Sequence, residues 1–324
     1  MSLLRFVERM IFISMIVSVS GAAYAQNYPS KPVRLVAAGV GGGSDFAARL
    51  IAQGLAAPLG QQVIVDNRPG AGGLIAGEIV AKAPPDGYTL LLHGSAIWLA
   101  PFLRDHVAYD PVRDFAPVTL AVSSTNVIVV HPSVPVRSVQ QLIALAKAKP
   151  GELNYGSGSV GSGAHLAAEL FKSMAGVDIV RIPYKGGGLA VNALIGGQLH
   201  LMFPVVGSVL AHIKSGKLRA LAATSAQPSA LLPDLPTVAS AGLPGYESVS
   251  IFGILAPSKT SKAIVNRLSQ EIARVLNRAD VREKFLNVGT EAVGSSPAQF
   301  EAAIKSEMTR LGKLIKEAGI RAAN

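Results

Sequence analysis

The chain has 324 residues, no cysteine and a formal net charge of +10. Without cysteine it forms no disulfide and offers no thiol chemistry, so its stability must come from a packed core. Lysine and arginine are scattered and aromatic residues make up only 6% of the chain, which argues against nucleic-acid binding and for a basic surface that attracts small anions.

The first 25 residues have the three parts of a secretory signal peptide. Arg5 and Arg9 precede the apolar run 10–19, and a small-residue cleavage site lies before Gln26. The apolar run is shorter than the roughly 20 residues of a transmembrane helix, although an uncleaved anchor is the alternative. We therefore predict that residues 1–25 are removed and that the mature chain is periplasmic.

Strand-like apolar runs alternate with helical patterns along most of the mature chain. The predicted strands are residues 33–37, 63–66, 89–92, 126–131, 179–182, 199–203 and 220–224. The predicted helices are residues 46–57, 74–81, 139–147, 164–174, 189–195 and 209–214, followed by a charged helical tail over 261–277, 281–286 and 297–318. This alternation predicts an α/β fold with mostly parallel sheets.

Two segments, 115–130 and 245–257, contain extended runs that are typical of crossings between domains. Two crossings imply a discontinuous first domain, residues 26–124 plus 254–324, and a second domain over residues 125–253. A ligand cleft is then expected between the two domains. A single large sheet is the alternative.

Three glycine turns, at residues 39–44, 156–165 and 186–188, each precede a predicted helix. A helix that begins after such a turn directs unpaired backbone N–H groups at whatever lies in front of it, which favours an anion. Asp45 also has a structural alternative, as the N-cap of a helix beginning at Phe46. A fourth turn, residues 67–73, contains Arg68, for which we expect a structural role.

Other chemistries have weaker support. The turn at 39–44 nearly matches a dinucleotide fingerprint with Asp66 after it, but its last glycine is replaced by Ser44. A nucleotide-dependent α/β enzyme is therefore kept as an alternative. The turn lacks the lysine of a P-loop, and no nucleophile elbow or metal-ligand spacing occurs. We predict no catalytic residue, no metal and no cofactor.

The second and third turns contain polar side chains suited to an anion. Ser157, Ser159 and Ser162 are interpreted as hydroxyl donors beside exposed amides, with a flexible surface loop as the alternative. His165 contacts the ligand, acts as a base or simply packs. Lys185 is the only cation within the three turns, and it neutralises a carboxylate or points into water.

At these residues the chain resembles the Bug-type extracytoplasmic solute receptors of tripartite tricarboxylate transporters. The resemblance covers the whole mature chain and depends on a series of motifs in fixed order. The motifs are YPSKPV (28–33), GGGSD (41–45), DNRPGAGG (66–73), PDGYTL (85–90), NYGS (154–157), PYKGGG (183–188) and LPDLPTV (232–238).

The resemblance implies a two-domain periplasmic binding protein fold of type II-like topology that closes over a small carboxylate or dicarboxylate. It implies a monomeric, non-enzymatic receptor that delivers this organic acid to membrane permease subunits; a receptor diverged into a signalling or interaction module is a further alternative. The site residues it implies are Val40, Gly41, Gly42, Ser44, Asp45, Ser95, Ser157, Ser159, Gly161, Ser162, His165, Lys185, Gly186 and Gly187.

The chain departs from the family pattern at three places. Residues 37–40 stand where the family usually has prolines and an aromatic residue, His200 stands where an aspartate is usual, and Ile251 and Phe252 stand where a tryptophan is common. These departures leave the identity of the ligand open.

Overall fold

The computed structural model describes residues 28–38, 43–158, 160–184, 186–229 and 231–321. The predicted signal peptide, residues 1–25, lies outside the described residues. Within those ranges, no helix combines the length and the apolar character needed to cross a membrane.

The described residues form eleven strands and ten α-helices. The strands are β1 (Val33–Ala37), β2 (Val63–Asn67), β3 (Thr89–Gly94), β4 (Phe115–Thr125), β5 (Val127–Val130), β6 (Asn154–Ser157), β7 (Val180–Pro183), β8 (Leu201–Met202), β9 (Arg219–Ala223), β10 (Val249–Pro257) and β11 (Glu291–Ala292). The helices are α1 (Gly43–Leu59), α2 (Leu74–Ala81), α3 (Ala96–Leu103), α4 (Val139–Ala148), α5 (Gly163–Ala175), α6 (Gly187–Ile195), α7 (Val206–Lys214), α8 (Lys262–Leu276), α9 (Ala279–Asn287) and α10 (Pro297–Glu317).

The strands form two sheets, one for each lobe of the molecule. The first lobe has the strand order β11-β4-β10-β3-β1-β2, and the second lobe has the order β7-β6-β8-β5-β9. The prediction of mostly parallel sheets is wrong, because β10 is antiparallel to both β3 and β4, and β5 is antiparallel to β8 and β9. The reason is that the chain enters and leaves the second lobe along extended strands, without the crossover helix that a parallel pair requires.

The two passages between the lobes lie side by side. β4 ends at Thr125 and β5 begins at Val127, so the chain changes sheet at Asn126. The Thr224 hydroxyl bridges the two passages, with its Oγ1 2.8 Å from the carbonyl oxygen of Asn126 and 2.6 Å from that of Ser248. The domain boundaries at 124/125 and 253/254 stay a prediction.

The hydrophobic core is continuous across the lobes on one side of these passages. One cluster of buried residues combines Leu91 of the first sheet with Leu201 of the second, and it includes Trp98 and Phe300. The rings of Trp98 and Phe300 meet edge to face with centroids 5.8 Å apart. Helices α3, α5 and α10 therefore pack together on this side of the two passages and form the part of the core that both lobes share.

Helix α10 has a well-defined beginning. Ser296 forms a capping box with Gln299, in which each side chain pairs with the backbone N–H of the other, and Pro297 occupies the first turn. Such a cap satisfies two backbone donors that the helix itself leaves unpaired. The helix then extends to Glu317, which brings its middle turns against α3.

Candidate ligand site

Five of the expected site residues, Val40, Gly41, Gly42, Ser159 and Lys185, lie outside the described residues. Their roles stay predictions.

The remaining expected residues lie where helices begin at the edges of the two sheets. β1, β2 and β3 are mutually parallel, as are β6 and β7, so the helices that follow these strands begin at a common edge of each sheet. Ser95 precedes α3, Gly186 precedes α6, and Gly187 is the first residue of α6. Ser44 lies in the first turn of α1.

The loop before α5 lies directly against the first lobe. A Cβ atom on Gly161 would lie 2.5 Å from Cδ1 of Leu103 in α3, and Gly161 has a positive φ of 77°. A Cβ atom on Gly163 would overlap Oγ of Ser250 in β10. The positive φ favours glycine at position 161, and at both positions an added Cβ would force a side chain of the first lobe to move.

A cavity of about 190 Å³, here called the inter-sheet cavity, lies at this contact. Three expected residues line it, namely Ser95, Gly161 and Ser162, together with residues of β10 and α10. The full lining is His93, Gly94, Ser95, Ala96, Gly161, Ser162, Gly163, Leu166, Ser248, Val249, Ser250, Ile251, Phe252, Glu307 and Leu311. A larger surface groove of about 670 Å³ lies in the second lobe beside Arg219 and Leu232, and its lining includes none of the expected site residues.

His165 is a neutral, buried residue in the first turn of α5. Its Nδ1 accepts a hydrogen bond from the backbone N–H of Gly161 at 3.0 Å, and Ser162 caps the helix by accepting from the N–H of His165. Burial, followed by the positive charge of Arg181, lowers the pKa of His165 to about 4. The ring is therefore neutral near pH 7, with its proton on Nε2. His165 is better suited to donate a hydrogen bond than to act as a general base.

Arg181, a residue of β7, is not among the site residues expected from the sequence. Its Nε donates to Oγ of Ser157 at 2.7 Å and its Nη2 donates to the carbonyl oxygen of Gly158 at 2.8 Å. Ser157 is fully buried and its hydroxyl is already engaged by this arginine. The guanidinium therefore holds the loop before α5 in place and supplies positive charge beside it. The signal in the sequence was a lone arginine within an otherwise apolar strand.

The structure corrects the proposed N-cap role of Asp45. The helix begins at Gly43 and not at Phe46, so Asp45 lies inside the first turn of α1. Its carboxylate accepts hydrogen bonds from Nδ2 of Asn67 at 2.9 Å and from Nε of Arg49 at 3.2 Å. Asp45 therefore links the start of α1 to the end of β2, and direct ligand binding by it stays a prediction.

Asp66, which the nucleotide alternative would assign to a ribose, is instead paired with arginines. Its Oδ2 accepts from Nε of Arg34 at 2.7 Å and from Nε of Arg68 at 3.1 Å. This is the structural role expected of Arg68.

A second residue missed by the sequence analysis is Glu307 of α10. Its Oε2 accepts hydrogen bonds from Oγ of Ser95 and from Nε1 of Trp98, both at 2.7 Å. Burial raises the pKa of Glu307, and the two hydrogen bonds act in the opposite direction. Ser95 lines the inter-sheet cavity, and its hydroxyl donates to this buried carboxyl group; its role as a ligand-binding residue stays a prediction. No local motif marks this glutamate, because nothing in the helix pattern distinguishes it from exposed glutamates.

The departures from the family pattern have different consequences. His200 immediately precedes β8, and its backbone N–H donates to Oδ1 of Asn154 at 3.0 Å. It therefore lies at the end of the sheet opposite to the end at which the helices begin. Ile251 and Phe252 line the inter-sheet cavity. Of these two departures, only that at Ile251 and Phe252 changes the lining of the inter-sheet cavity; residues 39 and 40 of the remaining departure lie outside the described residues.

Two α/β lobes joined by adjacent strands, with a cavity between them, define a periplasmic-type solute-binding protein. Residues 47–320 match the model of the tripartite tricarboxylate transporter family receptor, and the chain belongs to this family. The resemblance drawn from the motifs is confirmed, as is the prediction of a solute receptor rather than an enzyme.

Individual relatives agree with this assignment. The chain is 37% identical to the protein BugT of Bordetella pertussis over 306 residues, covering 94% of each chain. It is 38% identical to Rpa4515 of R. palustris, solved with adipate, with a TM-score of 0.80 and coverage of 91% of this chain and 99% of that one. It is 29% identical to MatC of Rhodopseudomonas palustris, solved with bound malate, with a TM-score of 0.75 and coverage of 89% and 100%.

Proposed function

We propose that this receptor captures a small carboxylate or dicarboxylate between its two lobes and delivers it to the permease subunits of a tripartite tricarboxylate transporter. The observation that carries the proposal is the close approach of the loop before α5 to the first lobe at Gly161 and Gly163. This approach directs the start of α5 toward the helix starts of the first sheet; Ser162 caps the N–H of His165 there, and the helical N–H groups before it have no partner within the helix.

The electrostatics of the described residues suit a singly charged oxyanion. Arg181 supplies a positive charge at the loop, and His165 is a neutral donor that adds no negative charge. Charge-assisted hydrogen bonds from backbone amides to a carboxylate are stronger than neutral ones, and closure of the lobes strengthens them further by excluding water. The adipate and malate complexes of similar proteins support the same class of ligand.

In this proposal the expected site residues act from two sides of the ligand, and they are assigned to a side by their position in the chain. Those of the first lobe are Val40, Gly41, Gly42, Ser44, Asp45 and Ser95. Those of the second lobe are Ser157, Ser159, Gly161, Ser162, His165, Lys185, Gly186 and Gly187.

Isothermal titration of the mature protein tests the function. The panel contains adipate, succinate, malate and citrate together with the monocarboxylates 6-hydroxyhexanoate and 4-aminobutyrate, with phosphate and sulfate as inorganic anion controls, in a buffer free of carboxylates. We expect saturable binding of at least one carboxylate and none of the inorganic anions. Heat from no carboxylate, with protein stripped of carried ligand by unfolding and refolding, would contradict the proposal. Mass spectrometry of the small molecule carried by protein from its own host identifies the natural ligand.

The cell-biological part of the proposal needs separate measurements. N-terminal sequencing of the exported protein should find Gln26 as the first residue, and fractionation should place the protein in the periplasm. Loss of carboxylate uptake on deletion of neighbouring permease genes supports delivery to a transporter. Unchanged uptake, together with a stable signalling partner in pull-downs, favours the diverged interaction module. Light scattering should report a monomer.

A further inference from the structure

The carboxyl group of Glu307 is almost completely buried, with 6% of the residue exposed, yet it lines the inter-sheet cavity. It projects from the middle of α10 toward the residue that precedes α3. Buried carboxyl groups are uncommon unless they are paired or functional.

Only one of its two oxygens has partners among the described residues. Oε2 accepts from Ser95 and Trp98, whereas no described donor reaches Oε1 and no described cation lies within 4 Å of the carboxyl group. The basic residue one turn further along α10, Arg310, donates instead to the backbone carbonyl of Glu247. Glu307 therefore has an available acceptor atom and no ion-pair partner among the described residues, and the charge of Arg310 acts on it only at longer range.

The rest of the cavity lining does not compensate for a negative charge. Among the residues that line it, Glu307 is the only one with a formally charged side chain, and burial lowers the pKa of His93 so that this ring is neutral. At a pH above its raised pKa, Glu307 carries a negative charge, and a second carboxylate placed here would then meet a like charge with no cation in the cavity lining. A hydroxyl or ammonium group would instead donate to the available oxygen in a charge-assisted hydrogen bond.

We infer that Glu307 is a specificity-determining residue that admits a hydrogen-bond donor to the inner end of the cleft and rejects a second carboxylate. The inference rests on the proposed function, in which the glycine turns hold the first carboxylate. The ligand is then a monocarboxylate with a hydroxyl or ammonium group at its far end, in contrast to the adipate and malate of the similar proteins.

Titrations with matched ligands test this. The first series is adipate, 6-hydroxyhexanoate and 6-aminohexanoate, and the second is succinate, 4-hydroxybutyrate and 4-aminobutyrate. We expect the Kd of a hydroxy or amino acid to be lower than that of the dicarboxylate of equal length by a factor of about ten or more. A tenfold ratio of Kd corresponds to the free energy of a single modest interaction.

Glu307→Gln should reduce this ratio to about threefold or less, because the amide can donate to a carboxylate. The matched control is Glu301→Gln, which makes the same charge change on an exposed face of α10, where Glu301 pairs with Lys305. The ratio of two affinities measured on one preparation does not depend on the fraction of folded protein, and a cooperative melt confirms folding of each variant.

The outcomes separate the two proposals. If the unsubstituted protein prefers the dicarboxylates, or if Glu307→Gln changes all ligands by the same factor, the role of Glu307 is overturned while the receptor function stands. If no carboxylate of either series binds, the receptor function is overturned and this inference with it.

Discussion

The Nδ1 atom of His165 accepts a hydrogen bond from the backbone N–H of Gly161 at 3.0 Å. This bond joins the first turn of α5 to the loop in front of it, at the point where the loop contacts Leu103 of the first lobe. It also fixes the tautomer of the ring, because only an unprotonated Nδ1 can accept. The protonation of one histidine is therefore coupled to the shape of the site.

Acid should destabilise the protein through His165. Its pKa is about 4 in the fold and about 6.5 in an unfolded chain, so the unfolded state binds more protons between these values. The free energy of unfolding should then fall as the pH decreases from 6.5 to 4, by up to about 3 kcal/mol. Urea unfolding at several pH values measures this.

His165→Asn should remove most of that pH dependence while keeping an acceptor for the Gly161 N–H. The control is His106→Asn, which replaces an exposed histidine. Equal pH dependence in the unsubstituted protein and in His165→Asn would contradict the assignment.

Removal of the Arg181 guanidinium should weaken ligand binding. Arg181→Met loses two hydrogen bonds to the loop before α5 and the positive charge beside it, and we expect carboxylate affinity to fall by about tenfold or more. The salt dependence of Kd should also decrease, because long-range attraction of the anion is lost. Titration calorimetry at two ionic strengths measures both effects.

Arg219→Met is the matched control, since Arg219 donates to backbone carbonyl oxygens of Val134 and Val136 elsewhere in the second lobe. Arg181→Met should in addition raise the pKa of His165, measured by NMR titration of the ring, because the nearby positive charge is gone. Similar losses of affinity in both arginine variants would rule out a specific role for Arg181.

A methyl group at position 163 should strain the contact between the lobes. The Cβ of Gly163→Ala would overlap Oγ of Ser250, and we expect a loss of about 1–3 kcal/mol of stability from overpacking. In Gly163→Ala with Ser250→Ala the nearest remaining atom is Cβ of residue 250, at 3.3 Å, so much of the loss should be recovered. A double-mutant cycle from urea unfolding quantifies this coupling.

Gly188→Ala serves as the control, because no atom lies within 4 Å of its added Cβ. Additive effects of the substitutions at positions 163 and 250 would show that this close approach is absent in solution.

A rise in pH from 4 toward 8 should reveal the burial of Glu307. Its pKa is raised by burial, so the folded state retains a proton that the unfolded chain releases, and the contribution of this group to stability decreases as the pH rises through and above the ordinary glutamate range. Glu307→Gln should be free of this decrease and gain stability relative to the unsubstituted protein from pH 4 toward pH 8. Thermal melts of Glu307→Gln and Glu301→Gln across this range make the comparison. A constant difference between the two variants at every pH would refute it.

Several elements could be predicted from the sequence because their signals are local. The run 33–37 and the pattern 74–81 coincide with β1 and α2, since each is a short periodic stretch bounded by glycine, proline or polar residues. The sequence predicts no strand at β6, because three of its four residues, Asn154, Gly156 and Ser157, are small or polar and only Tyr155 is a strand-favouring residue. This segment is a strand only through its pairing with β7 and β8. The sequence pattern does not predict helix α3, because the helix contains Pro101. Its packing against α10 compensates for this low helix propensity.

The amino-acid sequence by itself determined the α/β class, the glycine turns and the receptor family, because these depend on periodicity and on short motifs. Only the tertiary structure decided which charged side chains face the cavity. Ser95 and Glu307 are 212 residues apart and meet at 2.7 Å, and Arg181 reaches Ser157 from a neighbouring strand. The burial and pairing of a carboxyl or guanidinium group depend on which segments pack around it, and packing between distant segments leaves no local pattern in the chain.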